Sequence, residues 1–119
     1  MRAFILGAAA LLATSSAAFA ADDIMANFYG NTAVASGGMF ESHTYYSPDH
    51  TFETKAAGYD LKGTWGFNDK GQLCRTYAQA LPGMPNPLCT EMTAHKVGDT
   101  WTVKVGDQTR TVTLKPGIQ

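Results

Sequence analysis

The clearest alternation of apolar and polar residues lies between Ser47 and Cys74, where it reads as turn, strand, turn, strand, turn, strand. Phe52, Leu61, Trp65, Phe67 and Leu73 supply an apolar face. Within it, Leu61, Gly63, Trp65 and Phe67 alternate with Lys62, Thr64 and Gly66. Ser47-Pro48-Asp49-His50 is a tight turn, because Pro48 suits a first central position and Asp49 can bond its own backbone. Asn68-Asp69-Lys70-Gly71 is the next turn. Glycines inside the Leu61–Phe67 strand predict sharp coiling or close backbone approach, as closing a small barrel requires.

The same grammar extends in both directions. Asp22–Phe28 suits one or two helical turns, with acidic residues at its start and Ile24, Met25 and Phe28 on one side. Asn31–Ser36 predicts a strand broken by Gly37-Gly38, and Met39–Tyr46 a second strand with aromatics on both faces, His43 sharing one with Tyr45. Thr51–Lys55, Gln72–Gln79, Leu88–His95, Thr100–Val105 and Gln108–Lys115 predict further strands. Ala56–Asp60, Val97–Asp99 and Gly106-Asp107 are the turns. The expected fold is all-β: about eight antiparallel strands in a meander that closes or folds on itself as a small barrel.

The first twenty residues change the picture of where this domain works. Met1-Arg2, the apolar run Ala3–Ala13 and Ala18-Phe19-Ala20 form a secretory signal peptide with cleavage expected after Ala20. Ala21, not a cysteine, stands directly after that point, so a lipoprotein is not expected. The protein is expected to be periplasmic or secreted, and Ala21–Gln119 to be a single domain. The formal net charge is −1, with both signs mixed along the chain and no basic stripe. That argues against nucleic acid and a membrane surface as partners, and no membrane span is expected in the mature chain. A monomer is expected.

Cys74 and Cys89, the two cysteines, are expected to form a disulfide in an oxidising compartment. Closing about 15 residues stabilises the fold by about 3 kcal/mol. Between them runs Leu81–Pro87, a stretch whose Pro82, Pro85 and Pro87 rule out a ladder strand. Tethered at its base, it is expected to present Leu81, Met84 and Leu88 as an exposed apolar projection, the first candidate for a partner-binding surface. Trp65, Phe67, Tyr77 and Trp101 could line a ligand pocket, although a domain this small needs large aromatics to build its core. His43, His50 and His95 match no catalytic or metal motif; catalytic residues, metal and cofactors are not expected.

The strand after Ser47-Pro48-Asp49-His50-Thr51, then Gly63-Thr64-Trp65 and Leu73-Cys74, resemble small exported lipocalin-like (calycin-like) β-barrel proteins of bacteria. The resemblance spans Tyr45–Cys74, with His95-Lys96-Val97-Gly98-Asp99-Thr100-Trp101 as a second block. In lipocalins the Gly-x-Trp element lies near the start of the domain, whereas Trp65 sits mid-chain; an interior filled by its own side chains is therefore expected. In length, compartment and strand content the chain is also similar to periplasmic protease and lysozyme inhibitor barrels. The leading expectation is a non-catalytic binding module recognising a protein or envelope partner through loops. The alternative is a carrier of a small apolar ligand.

Overall fold

Turn residues cut the chain into a short helix, α1 (Ala20–Met25), and eight strands: β1 (Thr32–Ser36), β2 (Ser42–Tyr46), β3 (Thr51–Ala56), β4 (Tyr59–Phe67), β5 (Gln72–Tyr77), β6 (Leu88–Glu91), β7 (Thr100–Val105) and β8 (Gln108–Lys115). The computed structural model describes residues 20–79 and 81–119. The signal segment expected over residues 1–20 therefore lies, apart from Ala20, outside the described residues. All eight strands pair antiparallel in one sheet, ordered β6-β5-β4-β3-β2-β1-β8-β7. The first strand joins the last, from Thr32↔Lys115 to Ser36↔Thr111. This pairing curls the meander into a nearly closed barrel whose remaining seam lies between β6 and β7.

The pleat decides what faces inward. Thr44 and Tyr46 are buried, and the ambiguity over β2 is resolved by the opposite face: His43 bonds Glu41 and the Tyr45 hydroxyl donates to the Gln119 carbonyl. Several boundaries differ from expectation, three of them for identifiable reasons. Met39 and Phe40 lie in a loop before β2, because the Arg110 guanidinium gathers the carbonyls of Ala35, Ser36 and Phe40. β4 starts at Tyr59, since Ala57 and Gly58 (φ 52° and 83°) make a two-residue turn. β6 stops at Glu91 rather than His95; the following segment is held by side chains, the Asn27 amide donating to the His95 carbonyl.

One end of the barrel is plugged. Met25 and Phe28 are fully buried there with Leu73 and Leu114, and Phe28 meets Tyr46 and Trp101 edge-on at 5.8 and 6.0 Å. Each plugged-end tryptophan is clamped by a histidine. His50 stacks on Trp65 at 4.1 Å and donates from Nδ1 to its carbonyl; His95 stacks on Trp101 at 3.5 Å and lies 3.5 Å from the Asp99 carboxylate. The adjoining turns are carboxylate-capped. Hydrogen bonds from the Thr51 hydroxyl and N–H hold Asp49 below the usual carboxylate range, and the Lys96 N–H does the same for Asp99, with His95 adding to it.

The expected disulfide is present. Cys74 and Cys89 face one another in the β5–β6 register and are joined. β4 approaches β5 closely at Gly63, where a Cβ would fall 1.9 Å from the Thr76 carbonyl oxygen and 2.9 Å from the Phe52 ring.

Candidate functional site: the barrel cavity

The interior is not filled by its own side chains. A cavity of about 590 Å³ opens at the end opposite the plug, with residues from all eight strands on its wall. This corrects the expectation drawn from barrel size. The hollow follows from the residues that point inward: Ala33, Ala35, Ser42, Thr44, Thr54 and Ala56 occupy successive inner positions of β1, β2 and β3 with small side chains. Large side chains gather instead at the plug. Eight strands leave an interior just wide enough for side chains or one small ligand, and here the inner positions nearer the mouth leave the space open.

The candidate residues divide by depth. Tyr77 and Trp101 line the cavity. Trp65 belongs to the buried floor, its indole N–H donating to the Ser47 carbonyl, and Phe67 packs against it at 6.3 Å outside the cavity. Leu81, Met84 and Leu88 also line the cavity. They are half-buried, with Met84 and Leu88 packed against the core, so the expectation of an exposed projection is corrected. The proline-rich loop bends over the mouth because Asn86 pins it: its side-chain carbonyl accepts from the Tyr77 N–H and its amide donates to the Tyr77 carbonyl.

Sequence reasoning missed the polar part of the wall. Thr44 and Thr54 satisfy one another across the β2–β3 pair at 2.8 Å. Arg75 lies between Leu73 and Tyr77 on the inward face of β5, its guanidinium carbon 6.0 Å from the Phe52 ring centre and 5.9 Å from that of Tyr77. Burial disfavours its charge, the Tyr46 and Tyr77 hydroxyls oppose that effect, and the net displacement is upward; Arg75 is a cation at every pH the protein meets. Burial in turn pushes the Tyr46 hydroxyl above its ordinary range, with Arg75 working against the shift. The signal was available: a cation at the middle of an i, i+2, i+4 apolar row.

The histidines stay apart. His43 is engaged on the outer face, and His50 and His95 in separate stacks. Among the described residues no group of three or more metal-ligating side chains converges, and no helix is long and apolar enough to cross a membrane.

Fold and site together define a small antiparallel barrel with a large, mainly apolar cavity, compatible with a lipocalin-like fold. Comparisons of the chain with protein-family profiles, curated proteins and solved structures found no match.

Proposed function

We propose that this protein is a non-catalytic carrier that holds one small, largely apolar ligand inside its barrel. The observation that carries the reading is the cavity of about 590 Å³, within the size range of ligand pockets and lined mainly by apolar side chains. An exported protein would bind such a ligand in an oxidising compartment, which the Cys74–Cys89 disulfide supports. Trp101 on the wall supplies the test. Titration with a neutral naphthylamine fluorophore is expected to quench tryptophan emission saturably at one probe per chain. Val103→Trp, which places an indole into the hollow, is expected to weaken binding by about tenfold or more while leaving the fold intact. Saturable binding that ignores Val103→Trp would place the ligand elsewhere, and absence of binding would end the carrier reading.

A second reading, capture of a protein or envelope partner by the mouth, is favoured by Met39, Phe40 and Tyr59, which are 95%, 50% and 61% exposed. Exposed aromatic and methionine side chains are typical interface anchors. Immobilised protein is then expected to retain an envelope protein that Met39→Asp no longer retains; equal retention removes this rim from the account.

A further inference from the structure

Two arginines line the cavity, and no aspartate or glutamate does. Arg110 is tied to the wall, donating from Nε to the Ser36 carbonyl and from Nη2 to those of Ala35 and Phe40. Arg75 is differently placed. Its Nε is sealed among protein atoms without an acceptor, and no carboxylate pairs with it among the described residues. Its polar neighbours are the neutral phenols of Tyr46, which shares a side-chain hydrogen bond with it, and Tyr77, and neither supplies an opposite charge. It cannot escape outward, because the pleat that directs Leu73 and Tyr77 inward directs Arg75 the same way. Buried charges are as a rule paired, so a lone cation on an apolar wall is a half-built site.

Resting on the carrier reading, the geometry points to a single-chain amphiphile as the ligand, its carboxylate against Arg75 and its aliphatic tail along Leu88, Val103 and Met84 toward the mouth. Charge and placement select the head: no acidic side chain lines the cavity, and Arg75 is the cation whose Nε finds no acceptor in the wall, so a single carboxylate completes it. A neutral lipid leaves Arg75 without an opposite charge. Shape agrees. With Nε sealed, the terminal nitrogens are what the guanidinium offers the cavity, and their side-by-side donors match the two oxygens of a carboxylate. The guanidinium carbon lies over the Phe52 and Tyr77 rings at 6.0 and 5.9 Å, so the pair would form beside apolar surface, where opposite charges attract more strongly than in water.

Calorimetric titration of the full protein at neutral pH with dodecanoate and with dodecanol, both below their aggregation limits, separates the head from the tail. Dodecanoate is expected to bind about tenfold or more tightly than dodecanol. Arg75→Met is expected to abolish that preference by weakening dodecanoate while leaving dodecanol unchanged or tighter. Equal affinity of the unaltered protein for both, or a preference that survives Arg75→Met, overturns the head-group assignment and leaves the carrier reading standing. Failure of the unaltered protein to bind either one overturns both. The ratio measured on the unaltered protein needs no variant, so it remains decisive should Arg75→Met not fold.

Discussion

Replacing Gly63 with alanine is expected to lower the melting temperature by at least about 12 °C. The added Cβ would lie 1.9 Å from the Thr76 carbonyl oxygen and 2.9 Å from the Phe52 ring. The ring could turn aside, but the carbonyl belongs to the neighbouring strand, and moving it means parting β4 from β5 where Gly63 pairs with Tyr77. Overpacking costs about 1–3 kcal/mol where side chains can yield, and a backbone obstacle puts this substitution at or above the top of that range. In a domain of this size each kcal/mol moves the midpoint by about 4–8 °C. Gly66 is the control. It lies in the same strand, and a Cβ there meets nothing within 4 Å. Gly66→Ala is expected to leave the midpoint unchanged or raise it slightly, since alanine loses less backbone entropy on folding. Thermal melts of the two variants side by side settle the matter: equal midpoints would show that the close approach at Gly63 does not constrain the β4–β5 pair.

Removal of the disulfide is the next largest effect. Cys74→Ser with Cys89→Ser is expected to cost about 3 kcal/mol, from release of a loop with a sequence separation of 15. Against a total stability of about 5–15 kcal/mol for domains in general, that is a substantial share. The loss should be uneven, because β6 is four residues long and β5 is its sole ladder partner. Freed of the link, β6 is expected to detach first, and with it Leu88 and Thr90 of the cavity wall. Chemical denaturation with and without reductant measures the cost, and a difference below about 1 kcal/mol would mean the loop is ordered without its staple.

The eight strands and the disulfide were legible because turn chemistry and period-two alternation are local signals. Gly106-Asp107 and Asn68–Gly71 announce their turns whatever surrounds them. Ala57-Gly58 fell inside the expected Ala56–Asp60 turn, but its two-residue length did not show, since alanine seldom takes a left-handed conformation. The cavity was not legible, because alternation tells which residues face inward but not whether inward-facing side chains meet. Ala33, Thr44 and Thr54 read equally well as packed or as bordering a hollow. For the same reason Arg75 carried no meaning alone: a cation on an inward face becomes a candidate site only once the space before it is known to be apolar and open. The orientation of Leu81, Met84 and Leu88 depended on Asn86 bonding both backbone groups of Tyr77, a contact no local pattern encodes.

The pairing of the first strand with the last has a consequence for how the molecule comes into being. Neighbouring hairpins can zip as they emerge during synthesis, yet β1 has no second neighbour until β8 exists. Joining β1 to β8 brings together segments from opposite ends of the domain, a long loop whose entropy must be lost before any of those contacts reward it. The nascent chain therefore leaves the β1 edge unpaired until its final strand is made, and the finished sheet still ends in β6 and β7, which face one another across the seam.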